Sequence, residues 1–588
     1  MAGWHRLRTL VHEDETHFLE LAKHFFGQFF ENELVSRGRE ARLTVVHVIA
    51  MLAAPPIIYT FYLVAVYTSI EIGAPWEYPS VSLIDHCRYV MLAMIVMGFV
   101  AILEWDALFL DRRDFAILTP LPVHAATIFA AKIAAPLAFL ALFIVGVAGV
   151  PTLLYPLVAT EGMGGPPLSL LRVCDMVAAH AVAVFSGSAF IFLFFVAVQG
   201  LLINSLRPRA FKTASLCIQL AALVALVLIL LLLPSTSSFI PTWEQGRQGG
   251  WFSWFPPLWF VGVYQTLLGL GGGGFYKLAW RAAAALALVV LACGAGYLLN
   301  YKRHTQRALD AVEMHAAPRF GMADATRWML THLVVRKPRE RAIYFFVTNT
   351  AMRSGKHRLY LAAYVGAGSA LAAFGLLEVL VYRECPSIRA ILYQPNQALL
   401  AIPLTLSFFL LSGMRVVFTI PAELRANWVF QIAEDENRLD VFAGVRKVMI
   451  VRAALLLVVL LPIYAFLWGW GPACQQLIFS LMLSLILVEL LLINFRKIPF
   501  TCSYQPGKAN MTLLGVLYWL AFTTYAYTMA ALERRLLQDD LTWMAFLVLM
   551  ILLLGGLVVW RKDSLTGNSR IVYEDLPNPE VQTLGLGP

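Results

Sequence analysis

Charge is scarce in this 588-residue chain. Only 14% of its residues are Asp, Glu, Lys or Arg, against 60% hydrophobic. That ratio excludes an ordinary water-soluble domain, in which about a quarter are charged. Cysteine is sparse too. The seven are scattered without C-x-x-C spacing, so neither a thiol-redox motif nor a zinc framework is present. The nucleotide-binding pattern G-x-x-x-x-G-K-[ST] is missing. Gly271 to Gly274 followed by Phe275, Tyr276 and Lys277 lacks the hydroxyl, and Gly355-Lys356 and Gly507-Lys508 lack the loop. ATP chemistry by this chain is therefore not expected, nor is any bound cofactor or metal. The first 42 residues hold no apolar core followed by small residues, so no cleavable signal peptide is expected and the first span doubles as the insertion signal.

Long apolar runs fill the space that charge leaves. Mean hydropathy is +0.71. Stretches near 43–70, 84–105, 126–152, 175–204, 214–233, 279–301, 359–381, 397–420, 449–470, 476–494, 512–531 and 542–560 each approach or exceed the roughly 20 residues that cross a ~30 Å hydrocarbon core. The expected fold is an all-α polytopic membrane protein of about twelve transmembrane helices.

The loops divide by charge. Segment 1–42 carries Arg6, Arg8, Lys23, Arg37, Arg39 and Arg42, loop 205–213 carries Arg207, Arg209 and Lys212, and segment 302–358 is the most basic of all. Loops 71–83, 153–174, 234–278, 382–396, 471–475 and 532–541 are poor in Lys and Arg. The positive-inside rule then places both termini in the cytoplasm of a multi-pass cytoplasmic-membrane protein. The net charge of +9 reads as a topology signal, not as a nucleic-acid surface. Cys385 and Cys474 fall on the outer face, where a disulfide is conceivable; two unpaired thiols is the plainer reading.

The chain reads as two halves. After a cytoplasmic amphipathic segment (1–42) come six spans (43–301). A basic linker with a second amphipathic helix (302–358) precedes six more (359–561), and 562–588 is a cytoplasmic tail. Phe18, Ala22, Phe25, Phe26, Phe29 and Phe30 share one helical face in the first amphipathic segment; Ile343, Phe346, Val347 and Thr350 do so in the second. The fourth spans also align. Gln199 to Asn204 and Glu489 to Asn494 both end in Leu-Leu-Ile-Asn. Six spans per half give two parallel pseudo-repeats.

Two cytoplasmic loops concentrate charge. The first holds Glu104, Asp106, Asp111, Arg112, Arg113 and Asp114, then Pro120 and Pro122. The second holds Glu423, Arg425, Asn427 and Trp428, then Glu434 and Asp435. No histidine stands among these acids, and the prolines stiffen a helix–turn without building a pocket. Such elements suit docking to a soluble protein. Amphipathic helices ahead of the spans, a charged loop ending in Leu-x-Pro-Leu-Pro-Val, and six spans per half together resemble the membrane permease subunits of type-2 ATP-binding-cassette (ABC) exporters. The resemblance implies that loops 104–124 and 421–447 seat on cytoplasmic ABC ATPase subunits, two copies being expected. ATP and magnesium would be bound on those partners. The second half departs from the pattern, lacking the Pro-x-Pro element.

Charges inside spans call for a functional reading. Lys132, Arg415 and Arg452 lie close enough to the cytoplasmic face to snorkel, Glu378 sits near an outer end, and His47 and His180 fall within spans. Gln199 and Glu489 are the intramembrane polar candidates, as inter-helix hydrogen bonds or as substrate or ion contacts. The stretch Trp251 to Phe260 reads as a re-entrant or interfacial helix or as an aromatic belt. An ATP-independent secondary transporter is the alternative function; a membrane-embedded transferase is a third, needing an acid or histidine cluster that only 104–114 and 434–440 approach.

Overall fold

The computed structural model describes residues 17–29, 39–73, 78–108, 123–161, 169–235, 251–270, 273–307, 331, 334–382, 394–422, 430, 438–493, 495, 497–501 and 511–566. Every regular element among them is helical. The chain forms two compact units, Met1–His315 and Ala316–Pro588.

In unit 1, helix α1 (17–28) precedes α2 (Arg39–Gly73), α3 (Tyr78–Leu103), a 3-10 turn (Trp105–Ala107), α4 (Ala125–Glu161), α5 (Leu170–Ser205), α6 (Pro208–Leu231), α7 (Pro256–Leu267) and α8 (Gly273–Arg307). Unit 2 comprises α9 (Pro338–Arg353), α10 (Gly355–Tyr382), α11 (Gln397–Val417), α12 (Arg438–Trp468), α13 (Trp470–Leu491), α14 (Met511–Thr523), a π-helical turn (Thr524–Thr528), α15 (Met529–Leu536) and α16 (Asp540–Thr566). The apolar segments read from the sequence fall on these helices, the 512–531 stretch being shared among α14, the π-turn and α15. Among the described residues, ten helices are long and apolar enough to cross a membrane. The two segments outside that count are α2, whose described apolar part is the shorter Leu52–Tyr67, and the 511–536 stretch, which the π-turn divides. This is a polytopic helical membrane protein.

The side chains turned outward agree. Leu288, Leu291, Phe466 and Leu552 are each two-thirds or more exposed, a surface that hydrocarbon tolerates and water does not. In a bilayer every backbone polar group must be satisfied within the protein, which helices alone achieve segment by segment. The prolines inside α2, α4, α11 and α12 are accommodated because neighbouring helices supply replacement partners.

The most enclosed helix of unit 1 is α3, packed by α5, α6 and α7; in unit 2 it is α11, packed by α10, α13, α15 and the π-turn. Small residues let backbones approach. A side chain built on Gly296 of α8 would meet Gly200 Cα of α5 at 3.4 Å, and Asn204 clasps the same crossing, its Nδ2 donating to Gly200 O and, at 3.0 Å, to Gly296 O. The aromatic stretch is resolved as a short helix, not a loose belt. Leu258, Phe260, Val261 and Tyr264 of α7 are buried against α3, α5 and α8.

Candidate functional site: the anchored basic ends of the two units

Helix α3 ends, α4 begins, and α5 and α8 end on one side of unit 1, flanked in sequence by the basic segments. Here the entry to the first charged loop is held from two directions. Gln199 Nε2 donates to Trp105 O at 2.7 Å and Tyr297 Oη donates to Leu108 O at 2.8 Å. Trp105 and Leu108 are buried among the unit's core residues, so the chain leaves the bundle from a fixed point. Asp106 lies in the 3-10 turn with its side chain outside the described residues. Asp111, Arg112, Arg113, Asp114, Pro120 and Pro122 lie outside them altogether, as do Glu423, Arg425, Asn427, Trp428, Glu434, Asp435 and Asn494.

The helix that follows the first loop, α4, carries α1. Phe25 and Phe29 are buried, Phe29 stacking on Phe139 with centroids 4.6 Å apart. Lys132 does not snorkel. It is 2% exposed, donates to Gln28 Oε1 at 3.0 Å and lies 4.6 Å from the Phe25 ring centroid, because α1 covers the face through which it would have reached water. Lys132→Met is expected to destabilise unit 1 by about 1–2 kcal/mol, because the loss of a charge-assisted hydrogen bond (about 1.5–3 kcal/mol) and a desolvated cation–π contact (about 2 kcal/mol) is partly offset by no longer burying a charge. Hydrogen exchange should show protection lost over 17–28 before the spans.

Unit 2 also fastens a helix to a span, with different chemistry. Helix α9 packs on α12 at the start of that span. Gly444 admits it, since a Cβ there would stand 2.9 Å from Glu340 O and 3.1 Å from Ile343 Cβ. Lys447 pairs with buried Glu340 and Lys337 with Asp440 at 2.6 Å. The hydrogen bond to Asp440, reinforced by its charge, holds the Lys337 ammonium above its ordinary value. The exit of α11 is pinned as well. His357 Nε2 donates to Ile420 O at 2.9 Å. Phe500, with φ of +69°, donates its N–H to Phe418 O at 3.1 Å and accepts from Ala422 N at 3.0 Å. A non-glycine residue is held in the left-handed region only where its surroundings dictate it; here both of its backbone groups brace the start of the second loop.

Glu489 is 1% exposed. Arg561 Nη1 of α16 donates to its Oε2 at 2.9 Å and Arg446 Nε of α12 pairs with its Oε1. One carboxylate therefore ties α12, α13 and α16. Gln199 and Glu489 thus make inter-helix contacts of different kinds at matching places in the sequence. Arg415, half-buried, donates its Nε–H to Leu491 O at 3.0 Å and lies 4.5 Å from the Phe495 ring. Arg452 is half-buried and Glu378 exposed, while the His47 side chain lies outside the described residues. Cys474 is an exposed free thiol, and Cys385 lies outside the described residues.

Sequence reasoning missed a polar cluster at the other end of unit 1, where α3 begins. Asp85 accepts from Tyr59 at 2.5 Å, Arg88 at 3.0 Å and Tyr67 at 3.2 Å. Arg88 also reaches Pro234 O at 3.2 Å. His86 and His180 meet Nδ1 to Nδ1 at 2.9 Å, so one ring donates and the other accepts. The His86 ring stacks on Tyr264 at 3.9 Å. The available signal was Asp85 and Arg88, three apart on one helical face at the very start of a span. Among the described residues no group of three or more His, Cys, Asp and Glu side chains is arranged to hold a metal ion.

No protein family, no curated protein and no solved structure matches this chain.

Proposed function

We propose that this chain is the membrane permease of an ABC exporter, moving its substrate across the cytoplasmic membrane while a separate cytoplasmic subunit hydrolyses ATP. The carrying observation is the fastening of each amphipathic helix to the span that directly follows a charged loop: α1 to α4 through Lys132, Gln28, Phe29 and Phe139, and α9 to α12 through Glu340, Lys447 and Gly444. A push on either loop then reaches span and interfacial helix as one lever. Two parallel six-span repeats, with both termini in the cytoplasm, would give the complex two such levers, one for each ATPase copy.

The test is purification of the tagged chain in mild detergent with identification of what accompanies it. A stoichiometric subunit bearing a Walker A sequence is expected, along with ATPase activity. Reversing Asp111→Arg and Arg112→Glu together should remove both, while the chain itself purifies unchanged. A chain that purifies alone and inactive would turn the assignment to ATP-independent secondary transport, the reading favoured by the ionisable Asp85–Arg88 and His86–His180 groups inside unit 1.

A further inference from the structure

Glu533 of α15 is wholly buried, yet neither of its carboxyl oxygens has a hydrogen-bond partner. Its neighbours Arg534 and Arg535 face outward and do not supply one. Helix α15 packs on α11, whose first turn is itself short of hydrogens. Pro403 has no N–H, which leaves Leu399 O, four residues earlier on α11, without its helical partner. Tyr464 of α12 fills that gap, its Oη donating to Leu399 O at 2.8 Å. On the adjacent carbonyl, Gln476 Nε2 of α13 donates to Leu400 O at 3.3 Å and also to Ser480 Oγ at 3.0 Å. Those two bonds fix the amide, so Gln476 Oε1 stays an acceptor, and it too lacks a donor. Around the first turn of α11 there are thus more acceptors than hydrogens to satisfy them.

The π-turn explains why an acid points here. Thr524–Thr528 adds a residue to the helical path, which rotates everything after it by about 100° relative to an uninterrupted α-helix. The turn is held on both sides. Tyr525 Oη lies 3.1 Å from Ser407 Oγ and 3.3 Å from Ser484 Oγ, and Gln397 Nε2 donates to Tyr527 O at 3.0 Å. Beyond it, Ala530, Glu533 and Leu536 form the inward face of α15.

We propose that Glu533 is a proton-binding site inside the bundle of unit 2, its carboxyl held in the neutral acid form where no cation or donor meets it. A protonated carboxyl becomes one donor and one acceptor and carries no charge to compensate. A bare carboxylate in the same place would stand uncompensated in a low-dielectric interior. A hard metal cation fits less well, because such ions gather about six oxygens or more and the described residues hold no cluster of ligating side chains. The other ionisable groups on the packed elements are Tyr464 of α12, Tyr525 and Tyr527 of the π-turn, Glu378 of α10, Arg534 and Arg535 of α15 itself, and Asp539 and Asp540 at the start of α16. Asp539 is committed to capping that helix through the N–H groups of Leu541 and Thr542.

The proton reading needs no ATPase partner, so its failure and that of the exporter assignment are separable. Infrared difference spectra of the purified full chain in lipid nanodiscs at about pH 7 should contain a protonated-carboxyl C=O band. The band should vanish in Glu533→Gln and persist in Glu378→Gln. Thermal stability of the wild type should fall as pH is raised toward about 9, by up to tenfold in the folded-to-unfolded ratio per pH unit for one linked proton. Glu533→Gln, neutral at every pH, should lack that dependence and keep the wild-type Tm at low pH. A wild type without the band overturns the proposal. So does a sodium-dependent rise in Tm that Glu533→Gln abolishes, which would make the site an alkali-cation site.

Discussion

Glu489→Leu is expected to destabilise unit 2 by about 3–5 kcal/mol, the range for removing one member of a buried charged set. The reason lies in what is left behind. Arg561 would keep its charge with only 8% of its side chain exposed and no carboxylate to meet it. Arg446, about one-third exposed, retains water; Arg446→Met should therefore cost much less than Glu489→Leu. Unfolding of the detergent-solubilised chain, followed by tryptophan fluorescence, measures both. The double variant Glu489→Leu, Arg561→Met should recover most of the loss, since an apolar replacement of both partners removes the stranded charge. A double variant as unstable as Glu489→Leu alone would mean that the carboxylate acts through packing and not through charge.

Gly262→Ala is expected to cost about 3 kcal/mol, at the upper end of overpacking effects. A Cβ at this position of α7 would stand 2.5 Å from Leu278 Cβ and 2.9 Å from both Ala279 N and Phe275 O of α8. No rotamer change relieves a clash with backbone, so α7 must move off α8. The buried Phe260 and Tyr264 would move with it, and Tyr264 is the ring on which His86 stacks. A Gly98→Ala comparison separates general crowding from this effect. There the nearest atoms are the methyl ends of Leu226, at 2.8 and 3.0 Å, which can swing aside, and the loss should be clearly smaller.

The helices were legible in the sequence because hydropathy reports a property of each segment by itself. The apolar runs fall on helices, and segments 17–29 and Pro338–Arg353 bury part of the faces that their spacing indicates, Phe25 and Phe29 in one and Ile343 and Val347 in the other, with Phe18, Ala22, Phe26, Phe346 and Thr350 half-buried. What stayed hidden is tertiary. Lys132 looks like any cation near a span end until α1 is seen to cover it. Arg446 and Arg561 look like topology-setting charges until Glu489 is found between them, one hundred and fifteen residues of chain being folded back to make that contact. Glu533 reads as part of a polar outer loop because nothing in the spacing of Thr524 to Thr528 announces a wide turn. The charged loops themselves were legible as charge, and the structure adds how their entries are gripped.

Those grips have a consequence for how the two loops can drift in sequence. Trp105, Leu108 and Ile420 are each held through a carbonyl oxygen, a group that every amino acid carries. The donors, Gln199, Tyr297 and His357, belong to the bundle. Substitution at a gripped position can alter packing but leaves the clamp intact, because the carbonyl that is gripped does not change with the side chain. Each loop is therefore free to be rewritten independently in sequence, while its point of attachment to the helices of its own unit stays the same.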